Sequence, residues 1–183
     1  MCAPLCDAIL KDDDVFILHP SSFILENLEH ANLFVVPLDG QREWFRYHSL
    51  FADLLRSRLV QTAPELVPWL HQRASLWYEQ NGLIAEAIDH ALAAVDFERT
   101  VGLVEQHAEA ALMRSENVTV LHWIEALPDD LVLARPWLCL YHAWALLLNG
   151  RSPEMVEARL RDVERSEAPP SHAQDAVLSL IHI

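Results

Sequence analysis

Residues 43–59 read EWFRYHSLFADLLRSRL. Trp44, Phe45 and Tyr47 are strand formers, suited to a pleated and half-buried surface. The period then changes. Leu50, Phe51, Leu54, Leu55, Arg58 and Leu59 recur at steps of three and four, the spacing of one helix face. A strand therefore runs straight into an amphipathic helix. Before this stretch the chain reads as mixed helix and strand, and after it every apolar period is helical. The stretch is the joint between two modules, residues 1–62 and 63–183.

Upstream, Asp39-Gly40 predicts a hairpin turn, because glycine accepts a positive φ without steric cost. Leu33–Leu38 is the outgoing strand and Glu43–Tyr47 the returning one. Ser21 or Ser22 caps a preceding helix, with Phe23, Leu25, Leu28 and Ala31 inward and Glu26, Asn27, Glu29 and His30 outward. Val15–Leu18 is β-prone, Asp12–Asp14 reads as a solvated loop without the spaced ligands of a calcium loop, and Cys2–Leu10 as the end of a helix. Helix, strand, turn, strand is the order of a winged helix. A wing that reads DNA needs a basic helix and a basic hairpin. Here Glu26, Glu29, Asp39 and Glu43 accompany Arg42 and Arg46, so a structural wing is expected.

Downstream, three helix pairs are predicted over about 64–95, 97–127 and 136–166. Their turns centre on Gly82, Glu116 and Gly150, two intervals of 34 residues, which is the tetratricopeptide period. One pair cannot bury its apolar face alone, so the pairs are expected to stack into a right-handed solenoid. Leu66, Trp69, Leu70, Ala74 and Trp77 form the face of the first helix, with Trp77 expected in the core. Ala87, Ile88, Ala91 and Leu92 face it from the second. The fold class is mainly α: a small winged helix, then tetratricopeptide-like antiparallel pairs.

The 183 residues are 52% hydrophobic with a mean hydropathy of +0.10, ample for a buried core. No apolar run reaches the ~20 residues of a membrane span, so no membrane contact is expected. Cys2, Cys6 and Cys139 form no framework, which points to a reducing, cytoplasmic setting and to no metal. The net charge of −14 repels phosphate backbones, so direct nucleic-acid binding is not expected.

The segments NLFVVPLDGQREWFRYHSLFADLLRSRL and HQRASLWYEQNGLIAEAIDHALAA resemble the middle of the MalT-like, ATP-dependent LuxR-family activators, members of the STAND ATPase class. The resemblance covers roughly Leu5 to Glu164. It implies an internal fragment that closes the winged-helix part of an ATPase module and opens a helical sensor arm. Its partners would be the rest of the same polypeptide, namely the ATPase module and a LuxR-type helix-turn-helix. An inducer or regulatory protein would act on the arm. ATP or ADP is implied for the intact protein and no cofactor for this fragment. In that family a winged-helix histidine contacts the phosphates of bound ADP. Arg46-Tyr47-His48 resembles that position, with Arg46 as an electrostatic assistant. The competing reading is that His48 caps the helix beginning at Ser49.

The residues themselves supply no catalytic constellation, so no enzyme is expected. The sole lysine, Lys11, lies between Leu10 and Asp12, so there is no P-loop. GxSxG and HExxH are absent. His90 and His107 lack second ligands at metal spacing, while His71, His122 and His142 are expected at the surface or capping carbonyls. Asp129-Asp130 starts a helix, where the macrodipole favours acid. The alternative to a coupling fragment is a free-standing helical-repeat scaffold that binds a protein or peptide.

Overall fold

The computed structural model describes residues 2–10, 21–31, 33–41 and 43–165. The readings made at Lys11–Pro20, Arg42 and the break at Ala168–Ser171 lie outside the described residues. The chain divides into two compact units, Met1–Ala94 and Val95–Ile183. The first contains α1 (Ala3–Leu10), α2 (Ser21–His30), β1 (Val35–Pro37), β2 (Phe45–Tyr47), α3 (Ser49–Thr62), α4 (Leu66–Gln80) and α5 (Ile84–Ala93). The second contains α6 (Phe97–Met113), α7 (Asn117–Glu125), α8 (Asp129–Leu133), α9 (Pro136–Leu148) and α10 (Pro153–Arg165). The described residues are thus mainly helical, with one two-stranded sheet near the start.

The two strands are antiparallel and pair Val35 with Tyr47, Val36 with Arg46 and Pro37 with Phe45. Trp44 extends the pairing through a single antiparallel bridge to Cys2, just before α1. Leu25 of α2, Val35 and Phe45 form the small core, with Ala3, Leu28 and Tyr47 packed at its edge. The inward face expected for α2 is only partly seen. Leu25 is buried and Leu28 half-buried, whereas Phe23 and Ala31 are exposed. The core is too small to cover all four.

The hairpin connection also differs from the expected tight turn. Gly40 does not adopt a positive φ. The carboxylate of Asp39 instead accepts the amides of Glu43 at 2.9 Å and Trp44 at 3.2 Å, and the Leu38 amide bonds the Trp44 carbonyl at 2.7 Å. An aspartate that bonds its own following backbone offers the same reversal without a left-handed glycine.

α4 and α5 pack as a hairpin through small residues. Ala74, Ser75, Ala87 and Ala91 are buried, and the Ser75 hydroxyl donates to the Ala87 carbonyl at 2.7 Å. The turn between the helices is closed by Gly82, whose φ of 73° is the left-handed conformation that suits glycine. α1 docks on α4, where the Arg73 guanidinium donates to the Ala8 carbonyl at 2.9 Å and lies over the Trp69 ring. It thereby satisfies a carbonyl at the α1 C-terminus that has no intrahelical partner. Trp77, expected in the core, is only half-buried beside Ala8 and Arg73, and its neighbour Tyr78 takes the buried position.

In the second unit Asp96 caps α6 by accepting the Arg99 amide at 3.2 Å. α6 packs on α7, α7 on α9, and α9 on α10. α9 is apolar nearly all round, and Leu138 through Ala143 are all buried. Cys139 donates its thiol to the Val132 carbonyl at 3.2 Å, tying α8 to α9, and burial pushes its pKa up to about 11. His142, expected at the surface or capping a carbonyl, does neither and is buried with that run, because the apolar period of α9 leaves no solvent-facing side at its position. The turn equivalent to Gly82 and Gly150 carries Ser115 at φ 64° in place of glycine.

Ile88 is fully buried between α5 and α4 and can relax only by leaving a cavity. Ile88→Ala is expected to cost about 2–5 kcal/mol, read as a lower midpoint in chemical denaturation followed by circular dichroism.

Candidate functional site

The joint between β2 and α3 is fixed from the backbone outward. Phe34, just before β1, adopts φ 60°, an uncommon conformation for a bulky residue. The strain has a local use. The Phe34 carbonyl accepts the His48 amide at 2.7 Å, and the Phe34 ring stacks on Phe51 at 5.2 Å between centroids. Tyr47 meets Phe51 edge-on at 5.6 Å. The residue before α3 is thus held by the start of the neighbouring strand.

His48 occupies the N-cap position of α3, with φ −56° and ψ 137°. Its carbonyl accepts the amides of Phe51 and Ala52. Its side chain makes no capping hydrogen bond. The ring is exposed and borders an open cavity of about 510 Å³ lined by Val36, Arg46, Tyr47, Ala52, Asp53 and Arg56. Arg46 points from the outer face of β2 and has no ion-pair partner among the described residues. Arg56 pairs with Asp53 at 3.0 Å, both well exposed. Two guanidiniums, an imidazole and the positive end of a 14-residue helix therefore surround one carboxylate. This balance suits an anion with several acceptor oxygens. The structure brings together His48 and Arg46, the two residues singled out in the sequence. It adds Arg56, two helical turns beyond His48, a signal legible as the spacing His48, Ala52, Arg56 along one helix face.

A second polar arrangement had no local signal. His71 of α4 and His90 of α5 face each other, Nδ1 to Nδ1 at 2.8 Å. His90 also stacks on Tyr78 at 5.1 Å. His71 was expected at the surface or capping a carbonyl, and His90 without a second ligand at metal spacing. Their separation of 19 residues on different helices hides the pair from any spacing rule. One ring must donate and the other accept, so at most one carries a full set of protons while the bond lasts. Burial lowers the His71 pKa. Burial and then the charge of His71 lower that of His90, with Glu86 opposing.

Residues 1–67 match the family described as the MalT winged helix domain. Residues 1–67 are thus a winged-helix segment of the MalT type, and the chain beyond them is compared through its relatives. The chain is 38% identical over 132 residues to the HTH-type transcriptional regulator MalT of Yersinia pestis, covering 72% of this chain and 15% of that protein. It is 42% identical over 156 residues to the serine/threonine-protein kinase PknK of Mycobacterium tuberculosis, covering 83% of this chain and 14% of that protein. The chain thus spans about a seventh of the length of these relatives. No solved structure matches it. No helix among the described residues is long and apolar enough to cross a membrane.

The paired imidazoles carry a pH dependence of definite sign. Both folded-state pKa values lie below the ordinary histidine value, so the unfolded chain binds more protons in acid and stability rises with pH. Stability is expected to be level above about pH 6.5 and to fall as pH drops below it. His90→Phe, which keeps the stack on Tyr78, is expected to flatten part of that slope. Denaturation midpoints of the two proteins between pH 7.5 and about 5 check this, because the contribution of buried His142 cancels in the difference.

Proposed function

We propose that the chain is a non-catalytic coupling segment of a MalT-like, LuxR-family regulator. The joint at His48 seats the phosphates of a nucleotide held by an ATPase module of the same polypeptide. The helices after it, read as tetratricopeptide-like pairs, relay the binding of an inducer or regulatory protein. The observation that carries this reading is the cavity at the start of α3, where His48, Arg46 and Arg56 surround the helix N-terminus. His48 is free to reach a phosphate because its side chain does not cap its own helix.

Electrostatics limits how that contact is made. The chain carries a net charge of −14, a field that opposes capture of a polyanion from solution. The local excess of cationic groups acts only at hydrogen-bond range. A phosphate presented by an adjoining module meets it, whereas free ATP or duplex DNA is repelled first. Nucleotide turnover and DNA reading therefore belong to other parts of the polypeptide, and the setting is cytoplasmic. The relatives support a coupling role over a free-standing scaffold. A protein named as a transcriptional regulator and one named as a kinase share this segment at a similar fraction of their length, which fits a module indifferent to the output attached to it.

A histidine donor at the phosphates holds a nucleotide-bound resting state by a hydrogen bond worth ~1–3 kcal/mol. In the intact regulator, His48→Ala is expected to shift the balance away from that state about tenfold to a hundredfold and to raise transcription without inducer. A reporter assay with protein level measured alongside is the check. Basal transcription at or below wild type, at normal protein level, would remove His48 from the nucleotide contact.

A further inference from the structure

The second unit holds a cavity of its own, about 450 Å³, between α7, α8, α9 and α10. Leu127, Val132 and Leu146 supply its apolar wall. His142 of α9 lines it and is 7% exposed, and neither ring nitrogen has a hydrogen-bond partner among the described residues. Buried polar groups are almost always bonded, so two orphaned nitrogens on a ring that lines a cavity call for a partner. Burial and the nearby Arg159 hold the His142 pKa down to about 4. The ring is therefore neutral at physiological pH and offers one donor and one acceptor.

The charges around the cavity select the partner. Arg159 is the cation that borders it, and its guanidinium is bonded to Asp129 and lies 3.5 Å from Asp162. Glu125 adds a third carboxylate to the lining. An anion meets an excess of negative charge and an arginine already engaged. A cation finds Asp129 and Asp162 engaged as well, leaving only Glu125. An uncharged group that both donates and accepts suits the neutral imidazole without disturbing those pairs.

We infer that this cavity binds a small uncharged molecule with an apolar body and a hydroxyl or amide group, which bonds to His142 while the body rests on Leu127, Val132 and Leu146. The volume lies in the range of small-molecule sites, ~300–1,000 Å³. The site is independent of the one at His48.

The test uses the full 183-residue chain and cyclohexanol as the probe, with cyclohexanecarboxylate and cyclohexylammonium as charged counterparts of the same shape. The ring nitrogens of His142 are followed by NMR at neutral pH. Cyclohexanol is expected to shift them saturably, and each charged counterpart to bind about tenfold more weakly or less. Ala158→Trp, at the exposed rim of the cavity, fills it from outside the core and is expected to abolish the response. His142→Phe removes the polar partner and keeps the ring. It is expected to retain a cooperative melt while the affinity, read from the Met155 methyl, drops about tenfold. A shift that stays linear with concentration, or survives Ala158→Trp, overturns the proposal. So does binding of either charged counterpart as tight as that of cyclohexanol.

Discussion

The hydrogen bond from the His48 amide to the Phe34 carbonyl is the constraint on which the joint depends. It closes the open end of the hairpin at the residue where the strand becomes a helix. Its acceptor is presented by a left-handed phenylalanine, a conformation that costs about 1–2 kcal/mol per residue and is held in place by the stack of Phe34 on Phe51. The backbone of His48 is thereby fixed from two sides while its ring stays exposed. The nucleotide contact proposed above relies on this combination of a fixed backbone and an uncommitted ring. Had the ring capped α3, its nitrogens would have been used locally.

The helical part is built on a different economy. Helices approach closely where alanine and serine face each other, and the buried hydroxyl of Ser75 is matched by a carbonyl across the interface. The longer apolar side chains are gathered on α6, α7 and α9. Several polar groups that enter this interior are paired, as His71 with His90, or bonded to backbone, as Cys139 with Val132. His142 departs from that pattern, which is what draws attention to the space in front of it.

Periodicity made the helices, the turns at Gly82 and Gly150 and the strand-to-helix switch at Tyr47 legible, because each rests on local backbone preference. The phase of α4 was less so. Trp77 and Tyr78 are adjacent and both aromatic, and it is Tyr78, stacked on His90 of α5, that is buried, while Trp77 lies beside Ala8 and Arg73. The reversal after β1 was legible as a turn but not in kind, since an Asp-Gly pair can reverse the chain through the glycine backbone or the aspartate side chain. Of the candidate site, His48 and Arg46 were visible through their neighbours in sequence, and Arg56 through its helical spacing of eight residues from His48. The His71–His90 pair and the burial of His142 were hidden, because both depend on which helices meet.

One property of α3 bears on how such a joint works. The helix buries none of its residues, and Leu50, Leu54 and Val60 are each more than half exposed. At 14 residues it is near the length at which an isolated helix is marginal in water. Melting its far turns exposes little further apolar surface, so that local opening lies at the low end of the free-energy scale and leaves the buried cores of both units intact. The exposed Arg56 and Arg58 on those turns would then be open to a trypsin-like protease. Anything that covers the leucine face of α3 would protect them, making resistance to cleavage at these two arginines a direct gauge of whether the joint is engaged.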